Sequence, residues 1–396
     1  MKKKPKVDWF VSHPIQYFAP LFARLSKVID LHVYYYSDVS VKGKVDHDFG
    51  REVKWDIPLL NGYKFTFLPN WSKSQSMHSR FRDAFNPRIF KTIFKSDADV
   101  IIVNGWSYAS DWLVILAAKL AGKKLWLRAE TPMNQEERKS KKVRAIKELL
   151  FGKIVFPFFA HKCMYIGTES RKFFEHYKVK PERLVFTPYA VDNDYFQNLY
   201  WDVPELNLRK TLGLPLDKKI VLYSGKYIVK KRPMDLLEAF RRLNSENYFL
   251  VMVGEGQLRS EMETFIKKNK LKNVRLTGFV NQGEIPAYYK VANVFVMCSG
   301  MGETWGLSVN EAMIFGTPLL VSRTSGCSVD LVKDGYNGFI FPEGDIEALR
   351  DRLLALLEED GVRMEMGLVS RRVIKDFSID ALAARFKLAL DKEIQN

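Results

Sequence analysis

The sequence predicts an α/β protein with two doubly wound domains, each built on a parallel sheet. Short runs of β-branched and aromatic residues alternate with longer amphipathic stretches, as expected of strands joined by helical crossovers. The chain has 396 residues, which is too long for one ordinary core and suits two domains of roughly 150–200 residues each. Its apolar fraction of 47% is sufficient to fill a core in both domains.

The apolar periodicity predicts the elements of each half in order. In the first half it predicts helices at 17–28 and 112–121 and strands at 7–11, 31–36, 64–68, 99–103 and 124–128. Residues 196–218 hold two prolines and show no clear period, so we predict a linker there. In the second half we predict strands at 220–224, 248–253, 274–277, 294–298 and 318–322, helices at 233–243, 258–269, 285–290 and 307–315, and a helical tail at 345–394. The predicted domains are therefore 1–200 and 201–375.

The positive charge of the chain is concentrated in its first half. The net charge is +16, and residues 1–200 contain 34 Lys and Arg against 20 Asp and Glu. A field of one sign favours an anionic partner such as a membrane surface, a nucleic acid or a phosphorylated ligand. A basic soluble protein without such a partner is the alternative.

The cysteine content and the hydropathy indicate the compartment. The three cysteines are scattered and odd in number, which favours a reducing environment without a disulfide framework or a zinc site. The sequence contains no run of about 18 uncharged apolar residues, so it predicts no membrane-spanning helix. The residues after the basic start predict a strand rather than a signal peptide. The sequence therefore predicts a cytoplasmic protein.

The segment "GETWGLSVNEAMIFGTPLLVS" places two glutamates, Glu303 and Glu311, eight positions apart. The loop follows a predicted strand and precedes a predicted helix, so it lies at the carboxyl edge of the sheet. The helix N-terminus there favours an anion. Gly302 and Gly306 allow a ligand to approach the backbone closely, and carboxylates accept hydrogen bonds from sugar hydroxyls. Taken alone, the two glutamates are more typical of a first-turn charge and a solvated helix residue than of a site.

A second strand end carries a cluster of cations. In "LYSGKYIVKKRPMDLLEAF", Gly225 ends the strand and Lys226, Lys230, Lys231 and Arg232 follow. Cations facing a helix N-terminus suit a diphosphate, although such a cluster alone is usually a solvated loop. Two anion-favouring loops in one domain together predict phosphate binding.

Five segments of the second half resemble, in the same order, the retaining glycosyltransferases of family 4. These segments are "GKYIVKKRPMDLLEAF", "VMVGEGQLRSEM", "VRLTGFV", "GETWGLSVNEAMIFGTPLLVS" and "LVKDGYNGFIF". The resemblance covers about residues 205–375, and two glutamates separated by seven residues are the signature of that family. It implies the GT-B architecture, in which two Rossmann-like domains face a cleft. It also implies an acceptor-side first domain, a donor-binding second domain and a final helix, about 376–396, that crosses back onto the first domain.

The resemblance assigns roles to residues of the donor domain. Lys226, where the family usually has arginine, and Lys231 would neutralise the diphosphate of a nucleotide-sugar. Glu303 would contact the sugar hydroxyls and Glu311 the ribose hydroxyls. Backbone N–H groups of Trp305, Gly306 and Leu307 would meet the phosphates, with Gly225 beside them. The segment 277–280 would line the base, with Phe279 as the contacting side chain.

The resemblance implies a reaction without a metal ion or other cofactor, because lysines and a helix terminus supply the positive charge. Asp97-Ala98-Asp99 and Asp192-Asn193-Asp194 have the form that another glycosyltransferase fold uses for metal. We interpret both as solvated turns.

In the first domain the resemblance points to residues after the predicted strands. Ser12-His13-Pro14 stands where the family commonly has a glycine-rich loop, and His13 either contacts a substrate or is a partly buried residue of a strand end. Asn104 occupies the place of a family histidine near the donor sugar, where it can hydrogen-bond but cannot titrate. Trp106 is a candidate for stacking on a sugar or for core packing, and Arg128 and Glu130 are acceptor or cleft candidates.

Residues 138–153 contain seven basic residues and one acid, and the aromatic run "VFPFF" follows them. A basic amphipathic helix beside aromatic residues is typical of peripheral contact with an anionic membrane, here over 138–159. An ordinary helix with a solvated basic face is the alternative. The membrane interpretation favours a lipid-linked glycan as the acceptor.

The leading interpretation is thus a hexosyltransferase that uses a nucleotide-sugar, with a UDP-sugar favoured over a GDP-sugar, in polysaccharide or glycoconjugate biosynthesis. One alternative is a nucleotide-sugar epimerase or hydrolase of the same architecture. Another is a nucleic-acid-binding protein, suggested by the charge, but the sequence has no helix-turn-helix, zinc-finger or RNA-stacking signature.

Overall fold

The computed structural model describes residues 4–42, 45–46, 51–52, 56–73, 77 and 80–395. The strands are β1 Lys6–Val11, β2 Asp30–Tyr35, β3 Val45–Asp46, β4 Arg51–Glu52, β5 Lys64–Phe67, β6 Val100–Asn104, β7 Lys124–Ala129, β8 Lys162–Tyr165, β9 Leu184–Phe186, β10 Lys219–Ser224, β11 Tyr248–Val253, β12 Val274–Gly278, β13 Val294–Met297, β14 Leu319–Ser322 and β15 Gly338–Phe341. The helices are α1 Ala19–Ser26, α2 Ile89–Lys95, α3 Ala109–Leu120, α4 Met133–Glu136, α5 Lys141–Lys147, α6 Thr168–His176, α7 Asn193–Tyr200, α8 Glu205–Thr211, α9 Pro233–Leu243, α10 Arg259–Lys268, α11 Ile285–Val291, α12 Leu307–Ile314, α13 Ser328–Leu331, α14 Ile346–Glu358, α15 Asp360–Ile374 and α16 Ile379–Gln395. A π-helix, Glu148–Phe159, continues directly from α5.

The first unit contains a parallel sheet in the order β5-β2-β1-β6-β7-β8-β9. Within the described residues this unit holds the chain up to residue 42, then Pro58–Ala190, and then the last helix, α16. Phe386 of α16 stacks on Trp9 of β1 at 5.6 Å between ring centroids. The C-terminal helix is therefore part of the core of the first unit.

The second unit contains a parallel sheet in the order β12-β11-β10-β13-β14-β15. It comprises Val191–Ser378 together with the described residues of Val45–Ile57. The central strands are buried along almost their whole length, as strands covered by helices on both faces should be. The fold class predicted from the sequence, two doubly wound parallel-sheet domains, is confirmed.

Each sheet has one point where the strand order reverses. In the first sheet this point lies between β1 and β6, and in the second between β10 and β13. Doubly wound sheets bind ligands beyond the carboxyl ends of the strands at such a switch point. The loops after these four strands are therefore the first places to look for a site.

The linker predicted at 196–218 contains helical residues that the sequence did not predict. Residues 193–200 and 205–211 form α7 and α8. Asp192 caps α7 by accepting a 3.0 Å hydrogen bond from the Tyr195 amide, and Pro204 precedes the first turn of α8. Both helices are short and bury few apolar residues. Their sequences therefore lack the apolar periodicity by which the longer helices were predicted.

The chain contains no helix, among the described residues, that is long and apolar enough to cross a bilayer.

Candidate functional site

Two loops meet at the switch point of the second sheet. The first follows β10 and runs from Gly225 to Arg232, and the second follows β13 and runs to Gly306, just before α12. The Gly300 amide donates a 2.8 Å hydrogen bond to the Lys230 carbonyl, which joins the two loops. The cations and Glu303, predicted from separate motifs, therefore lie in adjacent loops.

Lys231 and Glu303 form an ion pair across these loops, with both side chains largely buried. Burial alone would raise the pKa of the Glu303 carboxyl, but the charge and the hydrogen bond of Lys231, the charge of Lys230 and a hydrogen bond from Ser299 outweigh it and lower that pKa. Glu303 is thus an ionised carboxylate held beside a cation. A pair of this kind is ready to exchange partners with a ligand that carries both an anionic group and hydroxyl groups.

Glu311 lies on α12 in different surroundings. Its carboxylate accepts a 2.6 Å hydrogen bond from the Tyr289 hydroxyl, and Gln282 also hydrogen-bonds to it. Burial raises the pKa of Glu311 to about 7, because these two hydrogen bonds only partly compensate for the lost hydration. The two glutamates of the motif therefore have pKa values displaced in opposite directions.

The turn into α12 depends on glycine. Gly306 has φ +114°, and a Cβ placed on it would lie 2.6 Å from the Met297 sulfur. Trp305, the residue before it, is buried, and its indole N–H donates a 2.9 Å hydrogen bond to Asn310 inside the helix. Leu307 is the first residue of α12. The turn thus directs the helix N-terminus towards the edge where the strands end.

The loop after β10 is also tightly held. The Gly225 amide donates to the Val253 carbonyl at 3.0 Å, and the Tyr223 hydroxyl donates to the Lys226 carbonyl at 3.0 Å. Gly254 approaches this loop so closely that a Cβ on it would lie 1.9 Å from the Gly225 oxygen. Phe279 is half-buried and follows β12, at the edge of the sheet two strands away from β10.

At the switch point of the first sheet, His13 follows β1 and Asn104 ends β6. The side-chain oxygen Oδ1 of Asn104 accepts a 2.9 Å hydrogen bond from the Trp9 indole, which fixes the orientation of the side-chain amide. His13 is half-buried in the loop. Both residues therefore lie at the carboxyl edge of their sheet, as their positions in the sequence predict.

The other candidates of the first domain take part in packing. Arg128 is only 3% exposed, forms an ion pair with Glu130, and its guanidinium lies over the rings of Phe18 and Tyr189. Glu130 is more open than its partner. The structure therefore gives Arg128 a role in packing, where the sequence offered it as a cleft residue.

Trp106, a candidate for stacking on a sugar, packs against Phe151 at 4.4 Å and Phe173 at 5.9 Å between ring centroids. Of the two interpretations that the sequence left open, core packing is the one that these contacts support.

The aspartates with the form of a metal motif have structural partners. Asp97 pairs with Lys6, and the Asp99 carboxylate accepts the Lys6 amide at 2.8 Å. Asp192 caps α7. Among the described residues, no group of three or more His, Cys, Asp or Glu side chains is placed to hold a metal ion.

Sequence reasoning missed Tyr289 and Gln282, the two partners of Glu311. Tyr289 lies in the short apolar helix α11, where an aromatic residue is typical of a core position, and it is fully buried. Its hydroxyl is the only feature in the sequence that separates it from a phenylalanine, and a buried hydroxyl needs a partner. Gln282 lies in a polar loop that carries no distinguishing signal.

The second unit contains a segment that matches a known protein family. Residues 205–373 match the family model "Glycosyl transferases group 1". An uncharacterized glycosyltransferase of Methanocaldococcus jannaschii is 24% identical over 162 residues, which are 41% of this chain and 45% of that protein. The chain thus spans less than half the length of that relative.

A longer match covers 85% of this chain and 87% of the relative, at 25% identity. The relative is the "GalNAc-alpha-(1->4)-GalNAc-alpha-(1->3)-diNAcBac-PP-undecaprenol alpha-1,4-N-acetyl-D-galactosaminyltransferase" of Campylobacter jejuni. Among solved structures, Anabaena HepE in complex with UDP and glucose superposes with a TM-score of 0.73 over 98% of this chain and all of that chain, at 16% identity. At that identity the likeness establishes the fold.

The region matched by the family model contains the motifs around Glu303 and Glu311. The GT-B fold expected from the resemblance is confirmed, and residues 205–373 are similar to the glycosyl transferases group 1 family.

Proposed function

We propose that this chain is a retaining hexosyltransferase that moves a sugar from a nucleotide-sugar to a hydroxyl of a glycan or lipid-linked glycan. The observation that carries the proposal is the Lys231–Glu303 ion pair at the switch point of the second sheet. A UDP-sugar is the favoured donor and a GDP-sugar the second choice. The names of the HepE complex and of the Campylobacter jejuni transferase are consistent with a UDP-sugar and a lipid-linked acceptor.

The diphosphate of the donor would bind at the two lysines and the N-terminus of α12. Lys226 and Lys231 bring two positive charges to the end of β10, and Gly306 brings the backbone of the α12 turn to the same edge. Negative charge grows on the diphosphate as the bond to the sugar breaks, so these groups stabilise the transition state more than the ground state. No metal ion is required for this role.

The two glutamates would hold the two polyol parts of the donor. When Lys231 pairs with the diphosphate of the donor, the Glu303 carboxylate loses that ammonium partner and accepts hydrogen bonds from sugar hydroxyls. Binding of the sugar is thereby coupled to binding of the phosphates. Glu311 accepts hydrogen bonds from the ribose hydroxyls. This role requires the ionised form, and the pKa of about 7 makes it sensitive to pH.

The reaction would proceed with retention at the anomeric carbon. The acceptor oxygen forms its bond on the face from which the bond to the β-phosphate breaks, and the departing phosphate takes the proton of the acceptor hydroxyl. Such a step needs no titratable residue from the first domain, which fits Asn104 in the place of a histidine. Asn104, oriented by Trp9, is left to hydrogen-bond a sugar hydroxyl.

The acceptor would be presented at a membrane. Ile146, Leu149 and Phe158 are 56%, 58% and 63% exposed on α5 and the π-helix, and exposed lysines at 141, 142 and 153 lie in the same segment. Exposed apolar side chains within a cationic segment suit the interface of an anionic bilayer. We therefore propose peripheral contact through 138–159.

Product analysis tests the function. The protein is incubated with a UDP-hexose or a GDP-hexose and a panel of short and lipid-linked glycans, with and without EDTA, and the anomeric configuration of the product is read by NMR. The proposal predicts an acceptor-dependent product with the donor's configuration, formed equally with EDTA. Isomerised or hydrolysed donor without any acceptor product would favour the epimerase or hydrolase alternative.

A further inference from the structure

One face of the first sheet carries polar residues where a covered parallel sheet should be apolar. In register across β1, β2 and β5, Asp8 lies beside His32 and His32 beside Lys64, while Thr66 lies beside Tyr34. Alternate residues of β2 are buried and half-exposed. This polar face is the floor of a groove of about 780 Å³.

The groove begins at the amino ends of the strands, the edge opposite to the one that holds His13 and Asn104, and runs along the edge strand β5 as far as Pro69. Lys6, Asp30 and Lys64 are the first residues of their strands, and all three line it. One wall is α2, whose Ile89 and Ile93 are buried and whose polar side borders the groove. The groove is therefore separate from the switch point of the sheet.

The charged residues of the groove fall into two groups. Those of the sheet face are paired with each other, whereas the cations along α2 are not paired within the described residues. Lys64 pairs with Asp30 at 3.1 Å, Lys6 pairs with Asp97, and Asp8 accepts a 2.6 Å hydrogen bond from Ser96. Across the part of the chain that the structure describes, the side chains of Arg88, Lys91 and Lys95 have no hydrogen bond or ion pair. They are exposed and recur at about one helical turn along this wall.

The floor can recognise hydroxyl groups. His32 and Thr66 are hydrogen-bonded to each other at 2.9 Å, and the imidazole is stacked on the Tyr34 ring at 4.3 Å between centroids. Carboxylates, an imidazole and a hydroxyl group together provide donors and acceptors that saccharide hydroxyls use. Three cations on one wall supply positions for carboxylates or phosphates on such a saccharide.

We propose that this groove is a second ligand site, for an acidic oligosaccharide. Its charge pattern favours such a ligand over a nucleic acid, because Asp30 and Asp97 neutralise the lysines of the floor and leave cations for an anionic ligand on one wall only. A glycan with spaced acidic groups places neutral hydroxyls over the floor and its charges at the wall. The site would hold an acidic glycan away from the edge that the donor uses.

The test is isothermal titration calorimetry at low salt with a hexagalacturonate, with neutral maltohexaose and with single-stranded DNA. The proposal predicts millimolar or tighter binding of the hexagalacturonate and weaker binding of the other two. The double variant Lys91→Glu with Lys95→Glu should weaken hexagalacturonate binding by at least about tenfold. The matched control reverses two exposed lysines of α10, Lys267→Glu with Lys268→Glu, and should change that binding by less than about twofold. UDP binding should be the same in all variants, which separates this site from the donor site.

Thr66→Val tests the floor without changing the charge. Thr66 is exposed, so the variant should fold, and thermal unfolding checks this directly. The proposal predicts weaker binding of the hexagalacturonate and unchanged binding of DNA. Absence of hexagalacturonate binding, preference for DNA or for maltohexaose, equal loss in the α10 reversal, or no effect of Thr66→Val would each overturn it.

Discussion

The Tyr289 hydroxyl donates a 2.6 Å hydrogen bond to the Glu311 carboxylate, and both side chains are buried. Tyr289 lies on α11 and Glu311 on α12, so the bond joins two neighbouring helices of the second domain. The bond favours the ionised carboxylate while burial opposes it, and the pKa of Glu311 settles at about 7. The protonation state of Glu311 is therefore set by its neighbours within the physiological range.

Affinity for the donor nucleotide should rise with pH. Ribose hydroxyls bond more strongly to the carboxylate than to the neutral acid, so binding of the nucleoside diphosphate should strengthen between about pH 6 and 8 and release protons. Calorimetry in buffers of different ionisation enthalpy measures both effects. In Glu311→Gln the pH dependence should shrink to the part that comes from ionisation of the terminal phosphate, whose pKa is about 6, and a variant with the same slope as the wild type would contradict this assignment.

Stability should respond to pH in the opposite sense. The pKa of Glu311 is raised from 4.5 to about 7 in the folded protein, so the folded state holds a proton that the unfolded chain releases. The free energy of unfolding should fall as the pH rises from about 4.5 to 7, by on the order of 3 kcal/mol at most. Urea unfolding at several pH values, compared with Glu311→Gln, isolates this contribution.

Removing the Tyr289 hydroxyl should move the pH profile. In Tyr289→Phe the carboxylate loses a donor, the pKa of Glu311 rises further, and nucleotide affinity at pH 7 falls while the profile shifts to higher pH. The expected loss of stability is about 1–3 kcal/mol. The control is Tyr227→Phe, whose hydroxyl donates 2.7 Å to the Met252 carbonyl in the same domain. It should lose stability without moving the profile, so equal shifts in both variants would contradict the role of Tyr289.

Loss of Lys231 should affect both stability and transfer. Lys231→Ala leaves the Glu303 carboxylate buried without its cation, which costs about 3–5 kcal/mol for buried pairs. Because the pKa of Glu303 lies below 4.5 in the folded protein, the contribution of the pair is complete above about pH 4.5 and is lost as the pH falls below it. The double variant Lys231→Ala with Glu303→Gln should recover stability but not transfer, and recovery of both would contradict the donor role.

Gly306→Ala should distort the turn into α12. A side chain at φ +114° costs about 1–3 kcal/mol, and its Cβ would overlap with Met297. We expect lower thermal stability and weaker nucleotide binding. Gly361→Ala, where an added Cβ meets nothing within 4 Å, should be neutral or stabilising by about 0.5–1 kcal/mol. Similar losses at both glycines would show that the turn has no special role.

Membrane contact should depend on the apolar side chains of 138–159. Ile146→Glu with Phe158→Glu should abolish sedimentation with vesicles that contain anionic lipid, because both side chains are exposed and not part of the core. Met364→Glu, at another exposed apolar position, is the matched control. Binding that survives the double change, or that is lost equally in the control, would contradict the contact.

The alternation of strands and helices made most of the fold predictable. Helix α9 begins at Pro233 and ends at Leu243 as predicted, because proline suits a first turn and the apolar spacing is regular. Short elements escaped prediction. The strands β8 and β9 have four and three residues, and so short a run gives no period to detect.

The candidate site was predictable where a motif fixed the position of a residue in the loop. Glu303 and Lys231 follow two strands that prove to be neighbours, so their meeting follows from the topology. A position near a strand end does not tell which neighbours a side chain contacts, and Arg128, the last but one residue of β7, lies over the rings of Phe18 and Tyr189. Tyr289 was not predictable because its role depends on a contact between two helices.

The most direct test of the donor site is calorimetric titration of UDP, GDP and ADP into the wild type, Lys231→Ala and Glu311→Ala at pH 8. We expect that one nucleoside diphosphate binds the wild type and that each variant binds it at least about tenfold more weakly. Binding of equal strength in all three proteins, or no binding of any nucleotide to the wild type, would contradict it.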